Sequence, residues 1–302
     1  MADRPQRACS LTASDLFPQT EGLYQGRPEK VIAILFVTVR ALSHLNCLAS
    51  WNVVAFAVMN GLMQKIIRIL KIGWLGFWAG LATFVVFVPV TIAARLDPTQ
   101  RKAEYIVQFW ARLILGVTGV NTRSFGLEKI QDETSYAIIS NHQSHFDILA
   151  LVVELPMIVR FVVKKELRKI PFFGYATVVL RCIYVDRSDP AQAVKSLQDG
   201  IRKLPPNISM LFFAEGTRSP DGRIGPFKKG GFRTAQVAGW PILPVVVHGS
   251  RKVLPKGDLA FRPGTIEVEV LDPIPTEEVQ ARPWEEIMED VRQRIITHFD
   301  KG

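Results

Sequence analysis

A histidine and an aspartate five positions apart, His142 and Asp147, form a pair that could perform general base catalysis. They follow the apolar run 136–140, and α/β proteins gather functional groups where their strands end. If His142 lies in a turn and Asp147 in the first turns of a helix, the carboxylate can keep one ring nitrogen protonated. The other ring nitrogen can then take a proton from a substrate hydroxyl group, which typically contributes about 10²–10⁴ to the rate.

Three alternatives to this assignment stay open from the spacing. His142 and Asp147 could be a helix-capping pair without a chemical role, which is the interpretation that spacing alone favours. His145 is a second candidate for the base, although His142 has the better-placed carboxylate partner. His142 and His145 could also ligate a metal ion, but the sequence has no further compact cluster of histidines or carboxylates to complete a site, and we predict none.

A second candidate site lies in residues 214–219, directly after the apolar run 208–213. A turn that contains glycine exposes backbone N–H groups, and the guanidinium of Arg218 can bind a phosphate through two parallel hydrogen bonds. Lys164 follows another apolar run, where a lysine can neutralise a phosphate as a point charge, and Arg187 follows a fourth. The simpler interpretations are an ordinary polar loop, a solvated lysine and a surface pair between Arg187 and its neighbouring aspartate.

Four segments together, in their order and spacing, resemble the glycerolipid acyltransferase family that includes the 1-acyl-glycerol-3-phosphate acyltransferases. Residues 141–147 (NHQSHFD) resemble its NHxxxxD motif, and residues 213–219 (FAEGTRS) resemble its FPEGTRS block. Residues 164–187, which contain KKELRKIPFFG and CIYVDR, and residues 240–256 resemble the other two blocks. One departure is Ala214, where the family usually carries proline.

The resemblance implies a role for each matching residue. His142 would be the general base, and Asp147 would orient it. The phosphate of the acceptor would be bound by Glu215, Gly216, Thr217 and Arg218, with Lys164 and Arg187 as further contacts. The implied reaction moves a fatty acyl group from acyl-CoA or acyl-carrier-protein to the sn-2 hydroxyl of 1-acyl-sn-glycerol 3-phosphate (lysophosphatidic acid), and the product is phosphatidate. Because a thioester is already activated, this reaction requires no cofactor and no covalent acyl-enzyme.

Other functions stay open on the sequence. The acceptor could be another lyso-lipid or glycerol 3-phosphate, since the motifs do not separate these substrates. A non-catalytic protein that binds a lipid surface could keep the same fold. A metal-dependent hydrolase could use His142, His145 and Asp147. A panel of acceptors, a His142→Ala variant and a chelator would distinguish these functions from the leading hypothesis.

Short apolar runs alternate with helical periodicities over residues 97–302. Five runs are nearly continuous in apolar residues, as strands buried on both faces are: 136–140, 158–163, 182–185, 208–213 and 242–247. A sixth, 265–271, alternates apolar residues with glutamates and is typical of a half-exposed edge strand. The predicted helices are 99–116, 145–154, 189–204, 229–239 and 283–299. We therefore predict an α/β acyltransferase domain with a mostly parallel or mixed sheet flanked by helices.

An apolar and basic region precedes this domain. Residues 30–102 carry eight basic groups and one acidic group, and Ile72–Ala94 has no charge over 23 residues. That length can cross a hydrocarbon core of about 30 Å, although a buried core helix is an alternative. Basic groups beside apolar runs favour membrane lipids over nucleic acid as the partner. Together these patterns predict a helical membrane-anchoring region over residues 30–96.

The topology of this region stays open. Three basic residues stand on each side of residues 72–94, so the charges do not orient the segment. A hairpin that dips into one leaflet is compatible with the sequence, and so is a hairpin of two spans, 31–64 and 72–94. We expect the catalytic domain on the cytoplasmic side.

The remaining features concern the amino-terminal residues and the cysteines. Residues 1–29 are polar and contain three prolines, which predicts a flexible tail. They have no apolar stretch of the kind that a cleaved signal peptide requires. The three cysteines are widely spaced without a CxxC motif, which argues against a disulfide scaffold or thiolate zinc site and fits a reducing compartment.

Overall fold

The computed structural model describes residues 48–186 and 188–300. The predicted flexible tail, residues 1–29, lies outside this part of the chain, and so does Arg187. By its internal contacts the chain from Lys65 onward belongs to one unit, which holds every other predicted site residue.

Helix α1 (Leu48–Leu96) is a single helix of 49 residues that contains Pro89. It has no break near residues 65–71 or within 72–94, so a hairpin turn at either place is wrong. The predicted anchoring region begins at residue 30, outside the described residues, so a hairpin that turns before residue 48 stays a prediction. Its stretch Phe56–Leu96 is long and apolar enough to cross a membrane by length and composition. Most of that stretch is exposed, so the alternative of a buried core helix is wrong as well.

A seven-stranded mixed sheet lies at the centre of the unit. Its strands are β1 (Val120–Phe125), β2 (Ala137–Ser140), β3 (Ile158–Lys164), β4 (Ile183–Val185), β5 (Ile208–Phe213), β6 (Ile242–His248) and β7 (Gly264–Val270). Their spatial order is β1-β7-β6-β2-β5-β3-β4. Strands β6, β2, β5, β3 and β4 run parallel, whereas β7 pairs antiparallel with β6 and parallel with β1. The predicted mixed sheet is therefore confirmed.

The outer part of the sheet differs from the prediction. Strand β7 was predicted to be the edge strand, which is wrong, because β7 lies between β6 and the unpredicted strand β1. The alternation in β7 has another cause, since its glutamates contact polar side chains across the sheet surface. Glu267 pairs with Arg123 of β1, and Glu269 lies 3.2 Å from His248 and 2.8 Å from His298.

Helices cover both faces of the sheet. They are α2 (Arg101–Val117), α3 (Phe146–Glu154), α4 (Phe173–Val179), α5 (Pro190–Ile201), α6 (Gly230–Ala238), α7 (Ser250–Val253), α8 (Thr276–Ala281) and α9 (Trp284–Phe299). Helices α2 and α3 pack on the face that carries Ile138, and α6 and α9 pack on the face that carries Ile139. Because β2 is covered on both faces, all four of its residues are buried, which explains its continuous apolar pattern.

One side of α1 packs against the rest of the unit. Trp74 Nε1 donates to the main-chain oxygen of Val117 at 2.8 Å, and Trp110 Nε1 donates to Thr83 Oγ1 at 3.2 Å. Near the end of the helix, Val90 is buried in a small apolar cluster. The opposite side exposes large apolar side chains, among them Phe77, Phe84, Val88 and Ile92. An exposed apolar face of this extent is typical of a surface that contacts lipid or another protein.

Candidate active site

The turn between β2 and α3 carries His142. The preceding residue, Asn141, is buried and binds the main chain of the neighbouring strand β6 in both directions. Its Nδ2 donates to the oxygen of Val247 at 2.9 Å, and the N–H of Val247 donates to Asn141 Oδ1 at 2.8 Å. Asn141 therefore fixes the start of the turn to the sheet, a role that the sequence analysis did not assign to it.

His142 and Asp147 are in direct contact. The His142 Nδ1 atom lies 2.8 Å from Asp147 Oδ2, and the carboxylate is fully buried. The same oxygen accepts the backbone N–H groups of Gln143 at 2.7 Å and Ser144 at 2.9 Å. The aspartate thus caps the turn and holds the ring at once, so the capping interpretation and the catalytic one are not exclusive. With Nδ1 bonded to the carboxylate, Nε2 is the ring nitrogen that can receive a proton from a substrate.

The ring of His142 is also held by Phe213, the last residue of β5. The two rings stack with their centroids 3.7 Å apart and their planes inclined by 14°. Only 12% of the His142 side chain is exposed. The stacking and the bond to Asp147 together restrict the ring to one orientation, which is what a positioned base requires.

The buried carboxylate of Glu215 joins the turn of His142 to the loop between β5 and α6, in which Glu215 itself lies. Its Oε1 accepts the backbone N–H of His142 at 3.0 Å, and its Oε2 accepts the backbone N–H of Gly225 at 3.0 Å. The backbone of His142 is held from its other side by Ser219, whose N–H donates to the His142 oxygen at 2.8 Å. This geometry does not fit the predicted contact of Glu215 with a phosphate, because both oxygens are occupied and a carboxylate repels an anion. Glu215 acts instead as a positioning residue for the turn of His142.

Glu215→Gln is expected to lower the free energy of unfolding by about 1–3 kcal/mol, because the glutamine amide would present N–H groups to a buried backbone N–H. The melting temperature of the purified protein in detergent measures this loss. Glu133→Gln is the matched control, since Glu133 is exposed and its one ion-pair partner among the described residues is Arg101 at the surface. The control should change stability by less than about 0.5 kcal/mol. Equal melting temperatures for the two variants would contradict the role assigned to Glu215.

Arg218 supplies an unpaired donor near the histidine. Its Nη1 atom is buried and has no hydrogen-bond partner among residues 48–186 and 188–300. The Arg218 and His142 side chains line the same cavity. The loop around Arg218 is held by Lys256, whose Nζ donates to the Arg218 main-chain oxygen at 2.8 Å and to Thr217 Oγ1 at 3.3 Å. A buried guanidinium nitrogen without a partner is a ready donor for an anionic ligand.

The turn before Arg218 depends on Gly216. This residue has φ of +71°, a left-handed conformation that favours glycine. A Cβ atom at this position would also lie 2.8 Å from the Nζ atom of Lys228. The glycine therefore brings a second cation close to the loop backbone. Thr217, the remaining predicted phosphate ligand of this loop, is exposed.

His145, the competing candidate for the base, lies at the cavity beside His142. Burial lowers the pKa of the His145 imidazole from its ordinary value, and the charges of Arg218 and His142 lower it further. The charge of Asp147 raises this pKa, but by less than burial and the two cations lower it. The carboxylate of Asp147 is bonded to His142. The histidine whose ring is oriented by the carboxylate of Asp147 is therefore His142. Within the part of the chain that the structure describes, no group of three or more histidines, cysteines or carboxylates could hold a metal ion.

The second block holds the two remaining predicted phosphate contacts, Lys164 and Arg187. Lys164 is the last residue of β3 and is exposed. Its Nζ atom lies 3.4 Å from Glu166 Oε1. It also lines the cavity that contains His142. Arg187 lies outside the described residues, so its role stays a prediction.

A large cavity connects these polar groups to helices α1 and α2. Its volume is about 1070 Å³, at the upper end of the size of small-molecule sites. His142, Arg218 and Lys228 line it where the strands end. The rest of the wall is mostly apolar and includes Phe87, Val90, Ile106, Trp110, Ile114 and Phe161. The cavity thus combines an imidazole and cations with room for a long hydrocarbon chain.

Comparison with known proteins places this site in a family. The sequence profile of the Acyltransferase family matches residues 121–248. The 1-acyl-sn-glycerol-3-phosphate acyltransferase of Pseudomonas aeruginosa is 35% identical over 196 residues, which are 63% of this chain and 72% of that protein. The protein of the same name from Limnanthes douglasii is 35% identical over 55% of this chain and 59% of its own length. The 1-acyl-sn-glycerol-3-phosphate acyltransferase of Saccharomyces cerevisiae is 29% identical over 78% of this chain and 76% of its own length.

A solved structure shows the same fold. It is the 1-acyl-sn-glycerophosphate (LPA) acyltransferase, PlsC, from Thermotoga maritima, which superposes with a TM-score of 0.68 at 24% identity. The match covers 78% of this chain and 96% of that one. The residues matched by the family profile include His142, Asp147 and Arg218.

Proposed function

Because this chain belongs to the acyltransferase family, we propose that it transfers a fatty acyl group to the sn-2 hydroxyl of 1-acyl-sn-glycerol 3-phosphate and forms phosphatidate. The observation that supports this most directly is the pairing of His142 Nδ1 with Asp147 at 2.8 Å beside a cavity that both His142 and Arg218 line. The buried Nη1 of Arg218 has no hydrogen-bond partner among the described residues. A base and an anion-binding group in one cavity are what a phosphate-bearing acceptor alcohol requires.

The reaction follows from the position of the base. His142 Nε2 takes the proton of the acceptor hydroxyl while the hydroxyl oxygen attacks the carbonyl carbon of the acyl thioester. The buried carboxylate of Asp147 stabilises the imidazolium that forms. The tetrahedral intermediate then collapses, the carbon–sulfur bond breaks, and the leaving thiolate receives the proton from His142. The acceptor oxygen is itself the nucleophile, so no enzyme side chain becomes acylated.

The cations around Arg218 would anchor the phosphate of the acceptor. Arg218 and Lys228 line the cavity beside His142, and Lys164 and Arg187 are proposed as further contacts. Anchoring the phosphate holds the hydroxyl near Nε2, and this converts part of the binding energy into orientation of the reacting atoms. The apolar wall would receive hydrocarbon from the substrates, which carry long acyl chains.

The long apolar helix α1 supports membrane association, which suits a lipid acceptor and a lipid product. We propose that the catalytic residues face the cytoplasm, where acyl-CoA or acyl-carrier-protein would supply the acyl group. We also propose that these thioesters are the only co-substrates required and that no cofactor takes part.

An assay of the full chain in detergent micelles tests the proposed function. Formation of phosphatidate from 1-acyl-sn-glycerol 3-phosphate with acyl-CoA or acyl-carrier-protein is the expected result, and activity should persist with a chelator present. Absence of the product with both donors would refute the proposal. Greater activity with another lyso-lipid or with glycerol 3-phosphate would reassign the acceptor. A His142→Ala variant that retains the cellular function would favour the non-catalytic alternative.

A further inference from the structure

The residues 164–181, here called the basic-aromatic segment, connect β3 to β4 and contain helix α4. The segment carries five basic residues and one acidic residue, and its stretch 170–180 has no charge. Such a division into a basic part and an apolar part is typical of elements that lie at a membrane interface. No predicted site residue lies in the uncharged stretch, so the proposed reaction gives it no direct role.

Helix α4 has an inner and an outer side. On the inner side, Phe173 and Ala176 line the cavity that contains His142. On the outer side, Phe172, Tyr175 and Val178 are 46%, 42% and 39% exposed. The short helix α4 thus separates the cavity from the protein surface, and the side chains on its outer side are aromatic and aliphatic. Side chains of this kind rarely cluster on a surface that faces only water.

The outer side of the segment continues the exposed face of α1. The Phe172 ring lies 5.1 Å from the ring of Phe87 and 5.7 Å from that of Phe84, which is itself exposed. Tyr175 lies 5.8 Å from Phe87 and accepts a hydrogen bond from Arg95. The two elements therefore present one continuous apolar surface.

The charges at the border of this surface favour an anionic partner. Arg168, Lys169 and Arg181 are exposed and have no ion pair with any residue that the structure describes. Lys165 has only a long pair, 3.6 Å from Asp186. Exposed cations beside an apolar strip match the headgroups and the acyl boundary of an anionic bilayer.

We propose that the basic-aromatic segment is a second membrane-contacting element, which inserts Ile170, Phe172, Tyr175 and Val178 into the interfacial layer of an anionic bilayer beside α1. The outer side of α4 is then in lipid while its inner side lines the cavity, so a single short helix separates bilayer from active site. The inference concerns membrane contact and does not rest on the proposed reaction, so an inactive enzyme could still satisfy it.

Depth labelling of the full chain tests the proposal. In a chain whose three cysteines are replaced by alanine, a fluorophore is attached to Ile170→Cys or to the control Phe125→Cys. The two positions are matched, at 45% and 48% exposed, but Phe125 lies in β1 at the opposite edge of the sheet. In vesicles of phosphatidylglycerol and phosphatidylcholine, a nitroxide on the lipid chains should quench the label at 170, and aqueous iodide should quench the label at 125.

Two outcomes would overturn the proposal. Iodide quenching at position 170 as strong as at position 125 would place the segment in water. Protection of position 170 from both quenchers, together with crosslinked dimers, would show that a second copy of the chain covers the surface.

A charge reversal gives an independent readout. Arg168→Glu combined with Lys169→Glu should weaken partitioning into phosphatidylglycerol vesicles by at least about tenfold, since each basic residue near an anionic surface contributes measurably to binding. Lys195→Glu combined with Arg202→Glu changes the net charge equally on exposed positions at α5 and is the matched control. If both pairs of substitutions weakened partitioning into the vesicles equally, the net charge alone would explain the effect, and the proposal would be overturned.

Discussion

Replacement of His142 by alanine should lower kcat by about 10²–10⁴-fold, because it removes the group that takes the proton from the acceptor hydroxyl. The fold should persist, since the turn is held by bonds to the backbone of His142 and to the side chain of Asn141, which the substitution leaves in place. Steady-state rates at saturating acceptor and donor measure the loss. The melting temperature of the variant, which should stay close to that of the unchanged protein, shows that the loss is not unfolding.

His145→Ala is the matched control for this experiment. His145 lies in the same turn and lines the same cavity, but the carboxylate of Asp147 is bonded to the other histidine. We expect its kcat to fall by less than about tenfold, the loss expected of a residue that tunes rather than performs the proton transfer. A large loss in His145→Ala with a small one in His142→Ala would reverse the assignment of the base.

Arg218→Ala should raise the KM for the acceptor by about 10–100-fold with a smaller change in kcat, because it removes a charge-assisted hydrogen bond to the phosphate. The reason for this expectation is that Arg218 lines the cavity and that its buried Nη1 has no partner in the part of the chain that the structure describes. The KM and kcat for the acceptor are measured at saturating acyl donor. A fall in kcat at unchanged KM would contradict the assignment of Arg218 as the phosphate anchor.

Two companion variants separate charge from geometry at this position. Arg218→Lys keeps the charge but lacks the planar pair of donors, so its KM should lie between those of the alanine variant and the unchanged protein. Lys256→Ala removes the side chain that donates to the main-chain oxygen of Arg218 and so holds the loop. It should have a smaller effect on KM than Arg218→Ala. A KM for Arg218→Lys as high as that of the alanine variant would mean that charge alone does not anchor the phosphate.

The local part of the site could be predicted from the sequence, because it depends on residues that are close in the chain. His142 and Asp147 are five positions apart at the end of a strand, and the structure brings them into contact at 2.8 Å. The apolar runs around them are continuous because their strands are covered on both faces, and these runs indicated the strands correctly. The order of the parallel strands required the structure.

Contacts between distant residues could not be predicted in this way. Asn141 binds Val247, which is 106 positions away, and nothing in the local pattern identifies that partner. The carboxylate of Glu215 is directed at two backbone N–H groups from separate loops, and its motif suggested a phosphate contact instead. Such roles depend on which loops meet at the edge of the sheet, and this is decided by tertiary packing.

The sheet edge and α1 were mispredicted for physical reasons. Strand β1 (VNTRSF) is polar because it lies at the true edge, so it has no apolar run to identify it. The alternation in β7 was assigned to an edge position, but it reflects glutamates that pair with Arg123 and with two histidines. The two-span hypothesis required a turn between residues 64 and 72, yet lysine and arginine are good helix formers and the helix continues through 65–71.

The two sides of α1 imply that neighbouring positions in one helix evolve under separate constraints. Val90 is buried and lines the cavity, whereas Val88, two positions earlier, is exposed on the outer side. Substitution at the first position changes the space available to a substrate chain, and substitution at the second changes only the contact with the surroundings. Among relatives, the exposed stripe of this helix that contains Val88 should therefore vary quickly in sequence. The buried stripe that contains Val90 should vary slowly, because it also forms a wall of the cavity.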